Sequence, residues 1–92
     1  MNLNDIFKAL SDETRRKILT MLSEKDLTAG EIANVFNQSW PTISYHLEVL
    51  ERVGLIASER KGRNIFYSLN TTIFEEMLVF FASVTNRRLK DG

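Results

Sequence analysis

The side chains best suited to chemistry in this sequence lie between residues 39 and 46, in a stretch whose apolar residues repeat at helical spacing. Six polar or aromatic residues fall outside the apolar stripe: Ser39, Trp40, Thr42, Ser44, Tyr45 and His46. Hydroxyl, phenol and imidazole groups can exchange hydrogen bonds with the edges of nucleic-acid bases and with phosphates. We therefore expect Thr42, Tyr45 and His46 to lie nearest to bases.

Three of these residues also have a structural interpretation. Ser39 precedes a helix and could be only its N-cap, with a contact to the nucleic-acid backbone as the alternative. Trp40 could stack on sugar and backbone, or it could pack over the preceding turn. Ser44 fits a solvated position on the helix surface slightly better than a contact with bases. The sequence leaves these alternatives open.

A second group of candidate residues is the basic cluster Arg60, Lys61, Gly62 and Arg63. Its three cations suit contacts with phosphates and the minor groove, and a glycine lets a loop approach another molecule closely. The alternative is a solvated hairpin tip. Another basic run, residues 15–17, is better explained by ion pairs with its acidic neighbours than by phosphate contacts.

Helix signals place the first group on the second helix of a helix-turn-helix over residues 28–52. Residues 28–31 (Thr-Ala-Gly-Glu) form a capping box, which predicts a helix over residues 28–37. Ser39 begins the next helix, and Gly54 follows it as a left-handed stop. The turn between the two helices is very short. In a helix-turn-helix, the amino-terminal residues of the second helix face base edges in the major groove.

Residues 55–69 alternate and are rich in β-branched and aromatic side chains around the basic cluster, which predicts a β-hairpin with a basic tip. Two further helices are predicted near the amino end, over residues 4–10 and 13–23. We therefore expect a mainly α fold with a small β-hairpin, in one domain over residues 1–92: a winged helix-turn-helix. On this pattern alone, the alternative is a generic helical bundle with a hairpin.

The last predicted helix, residues 72–89, has more apolar surface than one small core requires. At about 100° per residue its apolar side chains cover roughly 160°, whereas one face of a globular helix needs only about 100°. A chain of 92 residues also builds a small core. We expect part of this helix to meet another chain.

Several stretches taken together carry a specific family pattern, although any one alone would be weak. They are Ser11–Leu19, Thr28–Ala33, Ser39–Leu47, Leu50–Leu55, Arg60–Asn64 and Tyr67–Leu69. In this order and spacing the sequence resembles the ArsR family of bacterial winged-helix repressors, over about residues 5–72. The Arg-Lys-Gly of the wing and the Tyr-Ser-Leu-Asn-Thr-Thr of residues 67–72 look most like its branch of cysteine-free autorepressors.

The resemblance implies a homodimer that binds an inverted-repeat operator in double-stranded DNA and represses transcription, with its own operon as the expected target. The dimer would be joined through the first and last helices, residues 4–10 and 72–89. The residues expected at this contact are Ile6, Phe7, Ile73, Met77, Phe80, Phe81 and Val84. A two-fold protein reads a two-fold operator, with half-sites about one helical turn apart.

Two positions depart from the family pattern. Trp40 stands where many relatives have Gln or Lys, and Tyr45 stands where many have Arg. Without that Arg, this face of the helix has no side chain that reads guanine through two hydrogen bonds. The operator preference of relatives is therefore not expected to apply.

Residues typical of other functions are missing from the sequence. It has no cysteine, and its last predicted helix has no histidine, so we expect no metal site and no cofactor, although many relatives sense metals. No Walker loop, HExxH or GxSxG motif is present, and we expect no enzyme. The remaining alternative is a winged-helix adaptor that binds a protein and has no specific DNA target. Because the sequence offers no obvious ligand chemistry, release from DNA by a sequestering protein partner is a further hypothesis.

Charge and hydropathy add weaker constraints. The chain has 12 basic and 12 acidic residues. A net charge of zero argues mildly against a protein that binds nucleic acid, although the distribution of charge matters more. The longest strongly apolar run, residues 77–84, is far shorter than the roughly 20 residues that span a bilayer. The polar amino end does not resemble a signal peptide. We expect a cytoplasmic protein without membrane insertion.

Overall fold

The computed structural model describes residues 2–91, which form five helices and one three-stranded antiparallel sheet. The elements in chain order are α1 (Leu3–Leu10), α2 (Glu13–Leu22), β1 (Leu27–Thr28), α3 (Ala29–Ala33), α4 (Trp40–Arg52), β2 (Ile56–Lys61), β3 (Asn64–Leu69) and α5 (Thr71–Asp91). The helix-turn-helix consists of α3 and α4, and the wing is the hairpin of β2 and β3. The predicted winged helix-turn-helix fold is confirmed.

One apolar cluster holds α1, α2, α3, α4 and the start of β2 together. Its fully buried large side chains are Ile6, Ile18, Ile32, Ile43, Leu47, Leu50 and Leu55. The apolar stripe predicted for α4, namely Ile43, Leu47 and Leu50, therefore faces inward. Because this stripe occupies one side of the helix, the opposite side of α4 is directed to solvent.

The start of α3 has the predicted capping box. The Thr28 hydroxyl accepts the Glu31 N–H at 3.2 Å, and the Glu31 carboxylate accepts the Thr28 N–H at 2.9 Å, which completes the capping box. These bonds to the backbone and hydroxyl of Thr28 hold the pKa of the Glu31 carboxyl below its usual range. The first helix is capped by Asn2 and begins at Leu3, one residue before the predicted range of residues 4–10.

The helix predicted over residues 28–37 is shorter than expected, because α3 ends at Ala33. Beyond it, the N–H groups of Val35 and Phe36 bond to carbonyls three residues back, which tightens the chain into a turn. Gln38 then donates to the Thr14 hydroxyl at 2.8 Å. This bond ties the turn before α4 to α2.

The end of α4 has the predicted left-handed glycine. Gly54 has φ +84°, its N–H donates to Glu51 O, and the Leu55 N–H donates to Leu50 O, which is a Schellman motif. Asn70 joins this end to the start of α5. Its backbone N–H donates to Leu55 O at 3.0 Å, and its side-chain amide donates to Gly54 O at 2.8 Å.

The wing is a regular hairpin in which Ile56 pairs with Leu69 and Lys61 pairs with Asn64. Its two-residue turn has Gly62 at φ +62° followed by a residue of negative φ, as a type II′ turn requires. The sequence did not predict the two-residue strand β1, which pairs with the middle of β3. Through this pairing the wing is attached to the residues just before the helix-turn-helix.

The last helix extends well beyond the core. At about 1.5 Å per residue its 21 residues span about 31 Å, and the molecule is 53 Å long but only 25 Å by 21 Å across. Ile73 and Phe74 are half-buried and Met77 is buried, whereas the apolar residues that follow are exposed. Those exposed residues are Leu78, Val79, Phe80, Phe81, Val84 and Leu89. No helix within residues 2–91 is long and apolar enough to cross a membrane.

Two residues predicted at a contact with a second chain are instead part of the protomer's own core. Ile6 is completely buried, and Met77 is only 7% exposed. The helical spacing explains this, because Ile6 and Ala9 lie on the side of α1 that packs inward, whereas Phe7 is turned about 100° away from Ile6. Phe7 remains exposed on α1.

Candidate nucleic-acid interface

The first turns of α4 present the predicted polar and aromatic face to solvent. Trp40 is 52% exposed and Tyr45 is 54% exposed, and Ser39 and Thr42 are exposed beside them. Ser44 is half-buried. Because the inner stripe of α4 is fixed in the core, these five side chains have a rigid support.

Ser39 occupies the N-cap position of α4, but its side chain makes no capping hydrogen bond. Its hydroxyl instead lies 2.9 Å from the hydroxyl of Thr42. The two hydroxyl groups form one polar pair at the start of the helix, and both residues are exposed. This pair can donate to and accept from the same ligand.

The expectation that His46 is left for solvent or DNA is wrong. His46 is only 8% exposed and packs on the inner side of α4. The spacing explains its burial, since His46 follows Ile43 by three residues and precedes Leu50 by four. The helical spacing in the sequence therefore indicated burial, whereas the polar side chain of histidine indicated exposure.

The partner of His46 is Arg15 on α2. The guanidinium of Arg15 lies 3.2 Å from His46 Nδ1, and it also donates to Ala9 O at 2.7 Å and to Lys8 O at 3.1 Å. Arg16 donates to Leu10 O at 2.8 Å. These arginines therefore satisfy carbonyls at the end of α1, which neither the ion-pair nor the phosphate interpretation predicted.

Asp12 stands close to this arrangement as the N-cap of α2. Its carboxylate accepts the Arg15 N–H at 3.0 Å and lies 3.8 Å from His46 Nδ1. Burial opposes ionisation, but the backbone N–H of Arg15 and the charge of the Arg15 guanidinium hold the pKa of Asp12 below its usual range. Groups on α2 therefore stabilise the ionised form of this carboxylate.

These lowered pKa values predict a loss of stability in acid. A carboxyl group with a lowered pKa stabilises the folded state above its ordinary pKa, and the contribution disappears as the pH falls through the folded-state value. The free energy of unfolding should therefore decrease as the pH falls through 4.5 and 3.8, the ordinary values for Glu31 and Asp12. Urea titrations from pH 6 to pH 3 measure this decrease. Its slope should be smaller in the Asp12→Asn, Glu31→Gln double variant, and an equal slope would contradict the assignment.

The wing presents its cations as predicted, and Arg60, Lys61, Gly62 and Arg63 are all exposed. The Lys61 ammonium lies 5.7 Å from the centre of the Phe66 ring, within the range of a cation–π contact. Among the side chains of residues 2–90, no carboxylate lies within salt-bridge distance of these cations. Their charge is therefore available to an anionic partner.

One further bond joins the wing to α4. The Ser58 hydroxyl on β2 donates to the Glu51 carboxylate at 2.7 Å. Burial raises the pKa of the nearby Tyr67 phenol on β3, and the negative charge of Glu51 adds to that rise. Sequence reasoning missed this bond, because its partners belong to different elements. Its effect is to hold one strand of the wing against α4.

Among the side chains of residues 2–90, no three from histidine, cysteine, aspartate or glutamate lie close enough together to hold a metal ion.

Comparisons with known proteins agree on one family. The family model described as "Bacterial regulatory protein, arsR family" matches residues 12–58. The chain is 47% identical over 85 residues to the transcriptional repressor SdpR of Bacillus subtilis (strain 168), and the matched region covers 92% of this chain and 94% of that protein. It is 39% identical over 71 residues to a cadmium resistance regulatory protein CadC homologue of Staphylococcus aureus, covering 76% of this chain and 59% of that one.

Solved structures show the same relationship. A crystal structure of the ArsR family transcriptional regulator RHA00566 superposes with a TM-score of 0.85 at 31% sequence identity, covering 98% of this chain and 97% of that one. The similarity includes the elements on which the polar face of α4 and the wing are built.

Proposed function

Since the chain belongs to the ArsR family of bacterial regulatory proteins, we propose that it is a transcriptional repressor that binds double-stranded DNA as a homodimer, through α4 and the wing. The observation that carries this proposal is the exposed polar face of α4 beside a wing whose cations have no carboxylate partner among the side chains of residues 2–90. Such a repressor acts where bacterial DNA is, in the cytoplasm.

In the proposed complex α4 lies in the major groove, and its first turns face the bases. With His46 buried, the residues left nearest to bases are Thr42 and Tyr45, beside Trp40 and Ser44. None of them is an arginine, so sequence reading depends on hydroxyl groups and aromatic contacts. The wing cations contact phosphates and the minor groove of the flanking DNA.

The homodimer is proposed to form through α1 and α5. Phe7, Phe80, Phe81 and Val84 are each at least 40% exposed, and three of them lie where α5 extends beyond the core. Burying this surface in a second copy removes apolar area from water. A two-fold dimer carries two copies of α4, so the operator is expected to be an inverted repeat.

Footprinting of the purified protein on the DNA upstream of its own reading frame tests this function. We expect two protected half-sites, about one helical turn apart and related by two-fold symmetry. Protection that is absent, or that shows no symmetry, would contradict the proposal. It would favour the adaptor alternative, in which exposed Trp40 and Tyr45 contact a protein.

Release from DNA by a sequestering protein partner is a separate part of the proposal. It rests on the residues of the chain, which include no cysteine and a single, buried histidine. A partner that covers the exposed face of α4 would compete directly with DNA. Finding a small molecule that dissociates the protein–DNA complex would contradict this part and leave DNA binding intact.

Arg63→Ala is expected to weaken binding to all DNA sequences and to reduce the slope of log K against log salt by about 1, because one phosphate contact is lost. Arg63→Lys keeps the charge and is the matched control, with a slope close to that of the wild type. Titrations at several salt concentrations measure both slopes. An unchanged slope for Arg63→Ala would remove Arg63 from the DNA contacts.

A further inference from the structure

A single side chain connects the end of α1 to the middle of α4. Arg15 Nε donates to Ala9 O at 2.7 Å and Nη2 donates to Lys8 O at 3.1 Å, while Nη1 lies 3.2 Å from His46 Nδ1. The guanidinium therefore uses separate nitrogens for the two helices. Neither helix can shift against the other without lengthening one of these bonds.

The chemistry of arginine determines the state of the histidine. A guanidinium has only donors, so His46 Nδ1 must be the acceptor, and a neutral imidazole then carries its proton on Nε2. The Asp12 carboxylate, at 3.8 Å from Nδ1, is beyond hydrogen-bond distance. The contact thus specifies one tautomer of a ring that is only 8% exposed.

We propose that Arg15 is a positioning residue for DNA binding: by holding His46 in the Nε2–H tautomer, it sets the orientation of α4 relative to α1. The proposal rests on the DNA-binding function proposed above. Tyr45, at the candidate DNA face, is the neighbour of His46, and their ring centres are 5.8 Å apart. A shift of His46 therefore moves a residue that faces the bases.

Arg16 provides a matched comparison within the same helix. It also donates to a carbonyl at the end of α1, Leu10 O at 2.8 Å, but the structure gives it no bond to α4. Lysine keeps the charge of arginine but has no planar fork, so it cannot reach both helices at once. Arg15→Lys and Arg16→Lys therefore change the same chemistry, and only the first breaks a link to α4.

Nitrogen NMR of the free protein tests the contact itself, because His46 is the only histidine in the chain. In the wild type, near pH 8, we expect separate signals for an unprotonated Nδ1 and a protonated Nε2. Arg15→Lys should produce averaged signals of two exchanging tautomers, and Arg16→Lys should match the wild type. A wild-type ring with its proton on Nδ1, or no change in Arg15→Lys, would overturn the proposal.

Affinity for the footprinted operator tests the positioning role. We expect Arg15→Lys to weaken binding about tenfold and Arg16→Lys to weaken it less than about threefold. The salt slope should stay unchanged in both variants, since neither loses charge. Equal losses in the two variants, or a lower slope in Arg15→Lys, would show a general structural role or a phosphate contact and overturn the proposal.

Two variants of His46 complete the test. In His46→Asn the amide oxygen can replace Nδ1 as acceptor, so binding should stay within about threefold of the wild type, whereas His46→Leu should lose about tenfold. Urea unfolding identifies variants that are still folded, and leucine suits a buried helical site. Equal affinities for the two folded variants would overturn the proposal. If the wild type binds no operator, the proposed function fails, and the NMR experiment still decides whether Arg15 fixes the ring.

Discussion

Val84→Glu is expected to dissociate the homodimer and to weaken operator binding about 100-fold or more, because each monomer then holds only one half-site. Val84 is 57% exposed on the protruding part of α5, so a charge there costs the protomer little. In the dimer the same charge would be buried against apolar side chains without a partner. Sedimentation equilibrium measures the dissociation, and gel shifts measure the affinity.

Asn86→Glu is the matched control for this substitution. It adds the same charge two residues along α5, which turns the side chain about 200° around the helix from Val84. We expect a dimer with nearly wild-type affinity for DNA. A stable Val84→Glu dimer, or dissociation of both variants alike, would contradict the proposed interface on this side of α5.

The second large effect concerns the start of α4. Thr42→Asp is expected to abolish specific binding, with a loss of about 100-fold or more, since a negative charge facing phosphates costs several kcal/mol. The same substitution should raise the stability of the free protein by about 0.3–1 kcal/mol, because the first turn of a helix favours a negative charge. At present no acidic residue lies in that turn. If the substitution stabilises the free protein and weakens DNA binding, misfolding is excluded as the cause of the lost affinity.

Thr72→Asp places the same charge in the first turn of α5, which also has no acidic residue. It should stabilise the protein in the same way and leave the affinity for DNA unchanged. Thermal unfolding and gel shifts on both variants make the comparison. If Thr42→Asp bound DNA as well as Thr72→Asp does, the exposed face of α4 would not be the DNA-binding surface.

Local signals were sufficient to predict most of the fold. The capping box at Thr28, the left-handed Gly54 and the alternating residues around Gly62 each depend on neighbours within a few positions, and all three have the predicted geometry. The inner stripe of α4 was predicted for the same reason, because helical spacing determines which side chains share a face.

What the sequence did not predict depends on residues far apart in the chain. The Arg15–His46 contact joins residues 31 positions apart, and strand β1 exists only because β3 lies beside it. The polarity of His46 suggested exposure, but a hydrogen bond with Arg15, which is distant in the chain, satisfies the buried ring. The roles proposed for Thr42, Tyr45 and the wing cations are still predictions, since they depend on contacts with another molecule.

The two hydrogen bonds of Asn70 have a consequence for the operator. They fasten the carboxyl end of α4 to the base of α5, while Arg15 fastens its middle to α1. Both helices that would meet across the proposed dimer axis are thus connected to the helix proposed to read DNA. The proposed dimer would therefore hold its two copies of α4 at a fixed spacing. One base pair inserted between half-sites displaces them by about 3.4 Å and rotates them by roughly 35°. A dimer with fixed spacing between its two copies of α4 could not adapt to that change in half-site spacing.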